Sequence, residues 1–155
     1  MKRLIQLIPI LFLLFSYTVS AQSGGIDFFK GTMEEAMTKA KEENKILFVD
    51  AYTVWCGPCK WMSRNVFNHP RVGYLYNKHF VNVKLDMETP EGSTFAIIHQ
   101  VNAYPTLVFI DGDGKEYHRV LGAQPVDRFL AAGRQVITEA KVKARMYMPS
   151  RDRSE

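Results

Sequence analysis

The spacing of apolar residues switches repeatedly between helical and strand periods along the chain. Thr32-Met33-Glu34-Glu35 has the form of a capping box, in which a hydroxyl and a carboxylate satisfy free backbone donors at a helix start. Met33, Ala36, Met37 and Ala40 follow at i, i+3, i+4 and i+7, which predicts a helix with one buried face and with Lys39, Lys41 and Glu42 toward water. Ile46-Leu47-Phe48-Val49 is a continuous apolar run of strand length, the pattern of a strand covered on both faces, and it delivers the chain to Asp50. After Pro58, the residues Cys59, Met62 and Val66 recur at helical spacing, and proline suits a first turn because its missing N–H has no partner there. Asn68-His69-Pro70 ends that helix, and Val72, Leu75 and Tyr76 predict a short second one. Val81, Val83 and Leu85 alternate with Asn82, Lys84 and Asp86, the period of a half-buried strand. Thr89-Pro90-Glu91 opens a helix to about Gln100. Thr106 to Ile110 is a second apolar strand, joined by Asp111-Gly112-Asp113-Gly114 to an antiparallel strand from Glu116 to Val120. Pro125 starts a last helix with Phe129, Leu130, Val136, Ile137 and Ala140 inward. With a β-leader before the first helix, this order predicts an α/β fold: a central mixed β-sheet flanked by helices on both faces.

The first residues stand apart from this pattern. Lys2 and Arg3 precede an apolar run from Leu4 to Phe15, broken only by Gln6 and Pro9, and small residues follow at Val19-Ser20-Ala21. That is the form of a secretory signal peptide cut before Gln22, and the run is short of the ~20 residues needed to span a bilayer. The expected organisation is a signal at 1–21, one domain at 22–140, and a basic tail at 141–155. The protein is then periplasmic or otherwise exported, or membrane-anchored if the signal stays in place. With 155 residues and 46% hydrophobic content the chain can bury one core. The formal charge of +4 falls further if Lys2 and Arg3 are removed, which gives no nucleic-acid footprint. Lys141, Lys143, Arg145, Arg151 and Arg153 hold most of the excess, as expected of a solvated tail.

Both cysteines lie in Val54-Trp55-Cys56-Gly57-Pro58-Cys59-Lys60, at a strand-to-helix junction. Three uses compete for them. As a structural staple the pair closes a very short loop, which in the chain-entropy account stabilises least. As a zinc site it lacks partners: a closed structural site takes four ligands, no second C-x-x-C exists, and His69, His79, His99 and His118 are scattered. No metal ligands are therefore assigned. As a redox pair it has what the chemistry needs. A helix N-terminus favours the thiolate of Cys56, Cys59 lies one turn inward, and the spacing lets the two sulfurs bond.

Trp55-Cys56-Gly57-Pro58-Cys59-Lys60 resembles the active-site signature of the thioredoxin family, and other residues reinforce it from Phe28 to Ala140. Asp50, six residues before Cys56, matches the family's buried acid, and Lys84 matches the lysine near it. Ala103-Tyr104-Pro105-Thr106 matches the segment carrying the family's cis-proline, and Gly122 the glycine beside the active-site surface. The spacing, with an extra piece around Pro70 to His79, is similar to that of exported thioredoxin-like proteins. Two departures stand out: Arg64 falls near the place of the helix-kinking proline, and Tyr104 is bulkier than the usual aliphatic residue.

The resemblance implies a thioredoxin fold and a thiol:disulfide oxidoreductase that reduces exported proteins. Cys56 is the nucleophile, Cys59 the resolving thiol, and Asp50 with Lys84 the proton-handling pair. Trp55, Gly57, Pro58, Tyr104, Pro105 and Gly122 form the substrate surface. No cofactor is expected beyond the Cys56–Cys59 disulfide. The expected partners are disulfide-containing exported proteins and a membrane thiol:disulfide electron donor, with no nucleic acid and a monomeric state. Two other functions use the same residues, a binding or holdase module and a Cu(I) carrier without turnover.

Overall fold

The computed structural model describes residues 24–147. The expected signal at 1–21 and the last part of the expected tail lie outside the described residues. The elements are α1 (Met33–Glu42), β1 (Ile46–Tyr52), α2 (Gly57–Asn65), α3 (Pro70–His79), β2 (Phe80–Asp86), α4 (Pro90–Ile98), β3 (Thr106–Ile110), β4 (Glu116–Leu121) and α5 (Val126–Tyr147). The sheet order is β2-β1-β3-β4. β1 runs parallel to β2 and antiparallel to β3, which pairs antiparallel with β4.

Local chemistry accounts for the element boundaries. The capping box forms as expected, with the Thr32 hydroxyl accepting from the Glu35 N–H and the Glu35 carboxylate accepting from the Thr32 N–H. Cys56, His69 and Thr89 cap the next three helices, each with a proline in its first turn. The β-leader reduces to a single bridge between Phe28 and Asn82. At the other end α5 runs through Tyr147, so residues 141–147 of the expected tail are helical.

Period-2 alternation along β1 divides the core into two. Leu47, Val49 and Ala51 pack with Met33, Ala36 and Phe95 from α1 and α4. Ile46 and Phe48 face α2, α3 and α5, where Phe48 meets Phe67, Tyr76, Phe109 and Phe129 with ring centroids 5.1 to 6.1 Å apart. The same alternation turns Asp50 toward the α2 side.

β2 departs from the half-buried expectation because its polar residues face the same covered side. Asn82 is buried, and its amide donates to the Asp27 carbonyl and to Asn77. The alternation was a switch between two covered faces, with the Asn82 N–H groups and the Lys84 ammonium paired by hydrogen bonds.

Gly92 joins α4 to the end of β2, and an added Cβ there would lie 1.9 Å from the Asp86 carbonyl oxygen. Gly92→Ala is expected to lower stability by about 1–3 kcal/mol, the usual range for overpacking. Urea unfolding measures it, and an unchanged midpoint would show that α4 can move away at no cost.

Candidate active site

β1 emerges from the core at Tyr52, and the chain turns through Thr53 to Trp55 before entering α2. Cys56 is the N-cap of α2, with φ −68° and ψ 111°. Its sulfur accepts a hydrogen bond from the Cys59 backbone N–H at 3.1 Å. The position gives Cys56 the free donors and partial positive charge of a helix start, the setting in which a thiolate is stabilised. The two sulfurs are bonded as a disulfide, and Cys56 and Cys59 are only 4% and 2% exposed. The chain around them is open: Val54 and Trp55 are 57% and 63% exposed, and Gly57 and Pro58 also face solvent.

The remaining predicted surface residues gather around this loop. The Trp55 ring meets Tyr104 edge to face at 5.9 Å. The Tyr104–Pro105 peptide is cis, as the resemblance implied. Gly122, at φ +76°, has open space where a side chain would stand, and its N–H donates to the Pro105 carbonyl at 2.8 Å. Pro105 itself is buried, so its side chain adds little to the exposed rim. Leu121, beside Gly122, is strongly exposed and extends the apolar surface.

Behind the cysteines, the parallel register of β1 and β2 sets Asp50 opposite Lys84. Asp50 is fully buried, and its Oδ2 accepts from Lys84 Nζ at 2.6 Å. Among the described residues Oδ1 has no hydrogen-bond partner. Burial raises the Asp50 pKa above the ordinary carboxylate value, and the Lys84 charge and hydrogen bond oppose that rise only in part. Lys84 also donates to Ser63 Oγ at 2.9 Å, and its ammonium lies 4.4 Å from the centre of the Tyr52 ring. A pocket of about 270 Å³ reaches Lys84 from outside, lined by Thr53, Cys59, Ser63 and Lys84 among others. Cys59 and Lys84 therefore share one opening.

Sequence reasoning missed three participants. Glu88 accepts from Trp55 Nε1 at 2.8 Å and fixes the indole, although nothing in the local pattern after β2 marks it. Ser63 stands one turn after Cys59, and that i, i+4 spacing was the available signal. Thr53 is a buried hydroxyl that no period distinguishes. Among the described residues no group of three or more His, Cys, Asp or Glu could hold a metal ion.

A disulfide-bonded Cys-x-x-Cys pair at a helix N-terminus, beside an exposed apolar rim and sharing a pocket with the lysine that pairs with a buried acid, defines a catalyst of thiol–disulfide exchange. The sequence model of the thioredoxin-like domain matches residues 33–137, and the chain belongs to that family. An H-type thioredoxin of Oryza sativa subsp. indica is 36% identical over 99 residues, covering 63% of this chain and 75% of the relative. The solution structure of a candidate disulphide-isomerase from Bacteroides thetaiotaomicron is 42% identical, with a TM-score of 0.66, covering 76% of this chain and 97% of that one. A thioredoxin from Thermus thermophilus gives a TM-score of 0.69 at 25% identity, over 83% of this chain and 99% of that one. The expected thioredoxin fold holds, and the protein is a thiol:disulfide oxidoreductase.

Proposed function

We propose that this oxidoreductase works as a reductant of disulfides in exported proteins. The observation that carries the reading is the placement of Cys56 as N-cap of α2 beneath an exposed Trp55, with Cys59 shielded one turn behind. The Cys56 thiolate attacks a substrate disulfide, forming a mixed disulfide and releasing one substrate thiolate. Cys59 then loses its proton toward Asp50 and attacks Cys56. The Cys56–substrate bond breaks, the second substrate thiolate leaves, and the protein is left as the Cys56–Cys59 disulfide. Trp55, Gly57, Pro58 and Tyr104, with the backbone of Pro105 and Gly122, hold the substrate segment, and Lys84 holds Asp50. The reaction needs no cofactor.

Export is supported by Lys2, Arg3 and the apolar run from Leu4 to Phe15, with small residues at Val19 to Ala21. Among the described residues no helix is long and apolar enough to cross a membrane. Regenerating the dithiol in such a compartment takes electrons from outside it, so a membrane thiol:disulfide carrier is the proposed donor. The protein acts as a monomer and contacts no nucleic acid in this reading.

Cys59→Ala tests the substrate assignment by removing the thiol that resolves the mixed disulfide. Expressed in its own cell, the variant is expected to accumulate exported proteins joined to Cys56, visible as adducts that dithiothreitol releases. Adducts made only of proteins that never leave the cytosol would overturn the export reading.

A further inference from the structure

We propose that Thr53 and Ser63 are positioning residues that hold the water through which Cys59 surrenders its proton. The inference rests on the dithiol reaction proposed above and concerns its second step. Thr53 is 1% exposed, and among the described residues its Oγ1 has no hydrogen-bond partner. A buried hydroxyl without a partner is unfavourable, and valine, of nearly the same shape, would fill the same space without it. Thr53 lines the pocket that also reaches Cys59, Ser63 and Lys84, and its volume of about 270 Å³ accommodates several waters, each occupying about 30 Å³ in the liquid. Ser63 Oγ accepts from the Lys84 ammonium, which leaves its own O–H free to donate elsewhere. Thr53 can both donate and accept. Together they offer a water beside Cys59 one donor of fixed identity and one adaptable partner.

The Cys59 S–H bond breaks and its proton passes to the held water, which in turn gives a proton to the Asp50 carboxylate. The Cys59 electron pair forms the bond to Cys56 Sγ. The Cys56–substrate bond breaks with its electron pair on the substrate sulfur, which takes a proton from solvent. Two protein thiols are oxidised and one substrate disulfide is reduced. The charged and titratable groups around this path are Asp50 and Tyr52 from β1, Lys60 and Arg64 from α2, and Lys84 and Asp86 from β2.

The test follows both chemical steps with glutathione disulfide carrying two self-quenching fluorophores, mixed with fully reduced protein. Dequenching on release of the first half reports attack by Cys56, and the fall in fluorescence anisotropy as the second half leaves the protein reports resolution by Cys59. Resolution by the wild type is expected to rise with pH to a plateau as the buried Asp50, whose pKa burial raises, becomes able to accept the proton. Thr53→Val and Ser63→Ala are each expected to lower that plateau roughly tenfold, the rate equivalent of one well-made hydrogen bond, while leaving attack unchanged. Thr53→Ser, which keeps the hydroxyl, should restore resolution. Should Thr53→Val fail to fold, Ser63→Ala alone decides. An unchanged plateau, or attack and resolution slowed equally, would overturn the proposal. A wild type that never releases the first half would instead sink the dithiol reaction itself.

Discussion

Cys56→Ser is expected to reduce insulin reduction to the rate that dithiothreitol reaches alone. The change is sterically small and leaves the N-cap intact, since a serine oxygen accepts from the Cys59 N–H at least as well as sulfur does. Stability should therefore hold while turnover vanishes. The reason lies in the reaction. A serine hydroxyl stays protonated at neutral pH where a thiol at a helix N-terminus ionises, and it cannot enter a disulfide at all. The contrast with Cys59 sharpens the test. In the reduced protein Cys56 should be alkylated by iodoacetamide faster than cysteine in an unstructured peptide, because the first turn of α2 favours its thiolate. Cys59, inside the first turn and 2% exposed, should lag behind it. Residual insulin reduction by Cys56→Ser above the dithiothreitol background would mean that Cys59 is reached directly, and the division of labour between the sulfurs would fail.

Most of this was legible in the sequence because it depends on short-range chemistry. The capping box at Thr32, the apolar runs that became β1 and β3, and the strand-to-helix junction at Cys56 follow from period and cap residues alone. The roles of Asp50, Lys84 and Pro105 came from resemblance rather than from pattern, and the structure supplies their physical setting. Asp50 and Lys84 are 34 residues apart in sequence and meet only because β1 and β2 pair in parallel with those two positions opposed. Register of that kind leaves no trace in local hydropathy. The burial of Asn82 was misread for the same reason: alternation shows that a strand has two unlike faces, but not that a helix and the Phe28 bridge cover the polar one. Glu88 was invisible because its partner Trp55 lies on another element.

The paired charge behind the cysteines gives the second large effect, and it runs in opposite directions for its two members. Asp50 is completely buried, and among the described residues Lys84 is the one hydrogen-bond partner of its side chain. Lys84→Met leaves a carboxylate with no compensating charge, and breaking a buried pair from one side costs about 3–5 kcal/mol. Asp50→Asn removes the buried charge and leaves Lys84, which is 27% exposed and can turn to water, so the variant is expected to be more stable at neutral pH by about 1–4 kcal/mol. The pH dependence follows from the raised Asp50 pKa. Between the unfolded value and the raised folded value, the native protein holds a proton that the unfolded chain has released. Wild-type stability therefore falls as pH rises through that window, and the advantage of Asp50→Asn grows over the same range and closes in acid. The penalty of Lys84→Met should likewise shrink on acidification, because a protonated Asp50 no longer needs a partner. Urea unfolding of the oxidised proteins at acid and neutral pH measures all three. Removing the proton acceptor should meanwhile slow resolution by Cys59 in Asp50→Asn by about 100-fold, the low end of general-base contributions. A variant both less stable and equally fast would show that Asp50 is a structural ion-pair residue, with no part in moving the proton.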